Sequence, residues 1–125
     1  MNSNEEKIRL LELQLFATIV FLVVTIVSSY FTYDEIKRLK NEPSLDQNFR
    51  RDVSYILRVI SVLVVIIFLY VDVTNYKIAK DNNENLRAFT NSIIASSITL
   101  IASILALINT ITTNNDIANT ENPNV

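Results

Sequence analysis

Hydrophobic positions along this 125-residue chain gather into three long apolar runs, residues 13–33, 53–73 and 88–113, divided by short polar segments. A hydrocarbon core about 30 Å thick needs about 20 helical residues to cross it, so each run is long enough to span a bilayer. None of the three contains glycine or proline, and the first and third carry no charge. Ser3 followed by Glu6, and Ser44 followed by Gln47 directly after Pro43, match the spacing of a capping box. Asp81-Asn82-Asn83 is the remaining obvious breaker. These marks predict helices over about residues 4–41, 45–80 and 84–113, and an Asn-rich disordered tail over 114–125. The expected architecture is all-α: an integral membrane domain over 1–113 with three transmembrane helices in an antiparallel left-handed bundle.

At a 4,3,4,3 spacing the polar and small residues inside the runs fall on one seam per helix. The first helix places Gln14, Thr18, Phe21, Thr25, Ser28, Thr32 and Glu35 on its seam. The second places Ser54, Arg58, Ser61, Val65, Phe68, Asp72 and Asn75 on one line. The third has Ser92, Ser96, Thr99, Ser103, Ala106, Thr110 and Thr113, flanked by Ala88, Ala95, Ala102 and Asn109. Lipid gives no hydrophobic reward for helix association, so small and hydroxylated residues are expected to face partner helices and large aliphatic ones to face lipid. A period of 3.5 residues implies left-handed winding with crossing angles near ~20°. Antiparallel threading sets Phe68 near the depth of Ala95 and Ser96, and Phe21 near Thr99, so both rings are expected to fill space left by the third helix's small residues. The same hydroxyls would line a pore if several copies assembled. Dry packing is the favoured expectation, because Phe21, Val65 and Phe68 interrupt the seams in mid-membrane.

The second run is less simple than its neighbours. The uncharged segment between Arg58 and Asp72 covers only ~20 Å at 1.5 Å per residue, well short of the hydrocarbon thickness. At least one of these intramembrane charges therefore sits at or inside the boundary, where an ionisable residue is a functional candidate by default. Arg58 can snorkel toward Tyr55 and the headgroups, or pair with Asp34 or Asn109. Asp72 is too short to snorkel far, and its reachable partners are Lys77, Arg87, Asn91 and Gln14. The simplest role for both is to delimit a short span and set its depth; locking one helix to another comes next, and an ion or proton path last.

Charges beyond the runs form acid-before-base pairs at i,i+4: Glu5/Arg9, Asp34/Arg38 and Asp46/Arg50. Ile36 and Leu39 are placed to meet Leu45 and Phe49 across the 41–43 turn. Tyr30, Tyr33 and Tyr55 mark one membrane interface, and Tyr70, Tyr76 and Phe89 the other. Bases are balanced, with Lys7, Arg9, Lys77, Lys80 and Arg87 on the N-terminal side and Lys37, Arg38, Lys40, Arg50 and Arg51 on the other, so the positive-inside rule leaves the orientation open.

Composition removes several kinds of chemistry. The chain has no cysteine and no histidine, hence no disulfide, thiol nucleophile, thiolate or imidazole metal site, or histidine acid–base chemistry. Its net charge is −2 and its bases are scattered, which gives nucleic-acid binding no footprint. The lack of glycine and of mid-span proline argues for continuous rods and against a transporter with unwound helices. The first run is longer than a signal-peptide h-region and lacks a small-residue cleavage site before Tyr30, so a retained span is expected. No catalytic group, cofactor or metal ligand is expected. The expected partners are the lipid bilayer and either a second copy or a larger membrane protein, in a multi-pass protein placed in the cell membrane. The leading reading is a non-enzymatic structural or interaction subunit. The alternative is a small pore-former, holin-like in size and span number, or an ion-conducting protein.

Overall fold

The structure, a computed structural model, describes residues 3–121, with side chains described for residues 4–115. Three helices account for nearly all of it: α1 (Ser3–Leu39), α2 (Gln47–Asp81) and α3 (Arg87–Glu121). All three are long and apolar enough to cross a membrane. The chain is an all-α, three-span membrane protein. The expected boundaries hold to within a few residues except at the C-terminal end, where α3 continues to Glu121 through residues expected to be disordered. Residues 122–125 of that expected tail lie outside the described residues.

How each helix stops follows from a chain without glycine. Asn41 and Asn83 both adopt left-handed backbone conformations, with φ of 60° and 56°. Asparagine is the residue other than glycine that most readily accepts this geometry. Each Asn is the C′ residue of a Schellman motif. At the end of α1, the Glu42 N–H donates to the Lys37 carbonyl (3.0 Å) and the Asn41 N–H to that of Arg38 (3.1 Å). The end of α2 repeats this: Glu84 donates to Ala79 (2.9 Å) and Asn83 to Lys80 (3.2 Å). The start of α2 departs from the expected capping box. Its N-cap is Asp46, which makes no side-chain capping bond, rather than Ser44. At the start of α3 the Asn85 side-chain oxygen accepts from the Arg87 N–H (3.0 Å).

The helices form an open antiparallel row with α2 in the middle. α2 packs against both neighbours, whereas the backbones of α1 and α3 never approach within 8 Å, Cα to Cα, among the described residues. Antiparallel pairing shows directly in the partners: Leu10 clusters with Val71 and Ile78, and Asp34 reaches Arg50, near the opposite ends of α1 and α2.

The face that α1 packs is not its polar seam. Between Leu10 and Asp34 the buried or half-buried positions of α1 are Leu10, Leu13, Ala17, Val20, Val24, Val27, Phe31 and Asp34, an unbroken 3,4,3,4 line of apolar residues ending in a carboxylate. Gln14, Thr18, Phe21, Thr25, Ser28 and Thr32 are exposed. The physical reason lies in the hydroxyls. Thr18 donates to the Gln14 carbonyl (2.8 Å), Thr25 to Phe21 (2.9 Å), Ser29 to Thr25 (2.9 Å) and Thr32 to Ser28 (3.1 Å). A hydroxyl satisfied one turn back on its own helix needs no neighbouring helix. Packing is then decided by shape, and Ala17, fully buried, lets α2 approach closely. Phe21 accordingly does not fill a gap in α3: it is 47% exposed, on a helix that α3 does not pack against. Phe68 is half-buried on the central helix.

On α3 the covered line is Phe89, Ile93, Ser96, Leu100, Ser103, Leu107, Thr110 and Asn114, all half-buried. It shares Ser96, Ser103 and Thr110 with the expected seam. The neighbouring line Ala88, Ser92, Ala95, Thr99, Ala102, Asn109 and Thr113 is exposed, with Ala106 half-covered at its margin. Every residue on this second line is small or polar.

Candidate functional site

The two charges inside the second span have different surroundings. Asp72 is half-buried, and its carboxylate accepts a hydrogen bond from the Ser96 hydroxyl of α3. Ser96 stands eight residues, or about 12 Å of helix, inside the start of the third apolar run, while Asp72 stands one residue from the end of the second. None of the expected partners, Lys77, Arg87, Asn91 or Gln14, makes this bond. α3 reaches the carboxylate one turn deeper than threading by length alone suggested. The bond ties α2 to α3 in the manner expected of a helix lock, through a hydroxyl instead of a base.

Arg58 is exposed, and among the described residues it makes no hydrogen bond or ion pair. The expected partner Asp34 is already occupied. Asp34 is 3% exposed, the one buried charged residue among those described. Its Oδ1 accepts the Leu45 N–H (3.0 Å), and its Oδ2 accepts an N–H of Arg50 at the same distance (3.0 Å). Arg50 also meets Glu35 Oε2 at 2.7 Å, and Glu35 Oε1 lies 2.5 Å from Arg38. The hydrogen bond from Arg38, with Arg50 adding to it, holds the Glu35 carboxyl below its usual range. The i,i+4 pairs Asp34/Arg38 and Asp46/Arg50 are thus replaced by Glu35–Arg38 and by the cross-turn pair Asp34–Arg50. Antiparallel threading alone brings Asp34 and Arg50 to the same level. The sequence signal that was available is Asp34's place as the last member of the aliphatic line that α1 buries.

Around this cluster the open side of the row forms a groove of about 840 Å³. α2 provides its floor, from Gln47 through Arg50, Arg51, Ser54, Leu57 and Arg58 to Ser61. α1 forms one wall from Arg38 up to Phe21, and the Asn109–Asn114 stretch of α3 forms the other. Ser28, Thr25 and Phe21 from the expected α1 seam line this groove, as does Ser61, whose hydroxyl donates to the Leu57 carbonyl (2.9 Å). Thr18 lies on the exposed face beyond it, while Ser92, Ala95, Thr99 and Ala102 face outward from α3. Of the expected α3 seam, Thr110 and Thr113 share the groove with the α1 seam residues, whereas the members from Ser92 to Ala106 do not line it.

Near the same end of α1, Tyr33 carries the Lys37 ammonium 5.0 Å over its ring, and Tyr30 packs against Phe31 with ring centroids 6.2 Å apart. Exposed tyrosines with a nearby cation are what a membrane–water interface selects. Among the described residues, no group of three His, Cys, Asp or Glu is placed to hold a metal ion. The polar groups that do converge are arginines, carboxylates already bonded to them, and hydroxyls. Comparison with protein-family models, with curated proteins and with solved structures finds no match.

Proposed function

We propose that this protein is a non-enzymatic interaction subunit of the membrane, associating through the outer face of α3 with a second copy or a larger membrane protein. One observation carries the reading. α3 presents a second 4,3,4,3 line of small and polar residues, Ala88 to Thr113, that no helix of the chain covers. Helices in lipid associate where small side chains let backbones approach and hydroxyls find partners, and aliphatic faces such as Ile94, Ile98, Ile101 and Ile108 suit lipid. None of α3's most apolar stretch is fully buried within the chain, against 17% for the corresponding stretch of α1 and of α2. The non-enzymatic part of the reading rests on the sequence, which holds no cysteine, no histidine and no motif of a catalytic site.

The test is the mass of the purified full chain in a mild detergent, together with co-purification from its native membrane. Ala95→Leu with Ala102→Leu, both at exposed positions, is expected to release the associated species, while Ile101→Leu on the lipid side leaves it intact. A monomer with no co-purifying protein, unchanged by the two leucines, overturns the proposal. The pore reading draws on the exposed hydroxyls of α1, and ion flux across liposomes containing the protein would favour it instead.

A further inference from the structure

We infer that the groove between α1 and α3 is a binding site for one anionic phospholipid, its phosphate held by Arg58 and its acyl chain lying toward Phe21. The charge balance comes first. Four arginines (Arg38, Arg50, Arg51 and Arg58) line the groove against one carboxylate, Glu35, with the second carboxylate, Asp34, behind Arg50. Arg50 is committed to Asp34 and Glu35, and Arg38 to Glu35. Arg51 donates to Asn48. Arg58 is the arginine whose guanidinium makes no bond among the described residues, and it stands inside the apolar run of α2. A cation left in that position needs an anion or water, and the lipid phosphate at the headgroup level is the anion a long arginine side chain reaches from there.

Shape then separates a lipid from a soluble anion. The α1 wall runs ~25 Å from Arg38 to Phe21 at 1.5 Å per residue, whereas one leaflet of hydrocarbon is only about 15 Å deep. A site for free phosphate needs only the mouth. This groove continues inward past Arg58 between Val24 and Leu57 and ends at an aromatic ring. Most of its hydroxyls do not demand water either: Thr25, Ser29, Thr32, Ser61 and Thr110 donate to carbonyls of their own helices, leaving methyl and methylene surface beside a chain. Basic pockets between transmembrane helices hold anionic headgroups by the same combination of fixed charge and chain contact. Arginine suits the role because its planar fork matches a phosphate with two N–H donors. Occupancy would also close the open side of the row, bridging α1 and α3 where the protein itself leaves them apart.

The experiment uses the purified full chain in a neutral detergent, titrated with phosphatidylglycerol, phosphatidylcholine or glycerol phosphate and read by native mass spectrometry and thermal melting. The expected result is one retained phosphatidylglycerol per chain, a raised melting temperature, and at least tenfold weaker binding of phosphatidylcholine. Arg58→Gln should weaken phosphatidylglycerol binding about tenfold or more and abolish the melting shift, and Arg58→Lys should restore part of both. Lys77→Gln, an exposed base at the opposite end of α2, should change neither. Because Arg58 is exposed and makes no bond, its loss leaves the helix packing in place, which circular dichroism and elution volume check. Equal binding of the neutral and anionic lipids, or of wild type and Arg58→Gln, overturns the inference. So does full competition by glycerol phosphate, which would mark a headgroup site without a chain, or a second copy of the protein filling the groove when lipid is stripped.

Discussion

Asp34 joins the first turn to the second helix through two different groups at once, the Leu45 amide and the Arg50 guanidinium. Its burial gives those bonds more weight than the surface ion pairs around them. The Glu35–Arg38 pair, with side chains about two-fifths exposed, is screened by solvent and worth little. Removing one partner of a buried pair is different, because the other charge and the amide are left without their acceptor. Asp34→Ala is therefore expected to cost about 3 kcal/mol of stability. Asp34→Asn, which keeps an acceptor for Leu45 and loses only the charge, should cost less. Unfolding in denaturing detergent, followed by circular dichroism, checks the order; equal effects would mean that the charge contributes everything. The hydroxyls of α1 show the opposite economy. Thr18, Thr25, Ser29 and Thr32 are all satisfied within α1, which is why they can stand exposed without destabilising the helix.

At the level of the helix, α1 carries two parallel lines with the same 3.5-residue repeat, one aliphatic and one hydroxylated, and only the aliphatic one is packed. α3 also carries two, and its packed line mixes Phe89, Ile93, Leu100 and Leu107 with Ser96, Ser103 and Thr110. The difference between them is the carboxylate on the facing helix. Asp72 of α2 draws a serine of α3 into the interface, whereas among the described residues no polar side chain of α2 bonds to the α1 hydroxyls. Ser96→Ala should then loosen α2 from α3 by about 1–2 kcal/mol, and Asp72→Asn by less, since an amide oxygen still accepts from the serine. Proteolytic susceptibility of the connection at residues 82–86, or cooperative unfolding in denaturing detergent, reads the loss. Unchanged stability in Ser96→Ala would remove the helix-locking role and leave Asp72 as a depth marker only.

For the molecule as a whole, the open row has a consequence that cross-linking can test, because the chain contains no native cysteine. A disulfide needs Cα atoms within about 7 Å. Cysteines in place of Leu10 and Val71, which share the core cluster, should oxidise readily to an intramolecular bridge. Cysteines in place of Phe21 and Thr99 should form no such bridge within one chain, since α1 and α3 stay more than 8 Å apart along their backbones. Efficient intramolecular cross-linking of the second pair would show a closed bundle in the membrane and remove both the open groove and the free outer face of α3.

Much of this arrangement is present in the sequence alone. Apolar run lengths, the absence of glycine and proline within them, and the breakers at Pro43 and Asp81-Asn82-Asn83 determine three continuous spanning helices, because bilayer thickness and backbone hydrogen bonding allow no other solution. The 3.5-residue repeat is equally legible. Which of two repeats on the same helix is buried is not, since in lipid both a small polar line and an aliphatic line can pack, and hydroxyls that bond to their own helix lose their claim on a neighbour. That choice, the capture of Asp34 by Arg50 across the turn, the meeting of Asp72 with Ser96, and the isolation of Arg58 in a groove between helices whose backbones stay apart were decided only by the tertiary structure. Each depends on the rotation and depth of one helix against another, and a rotation of about 100°, the step between adjacent residues' faces, exchanges one line for the next.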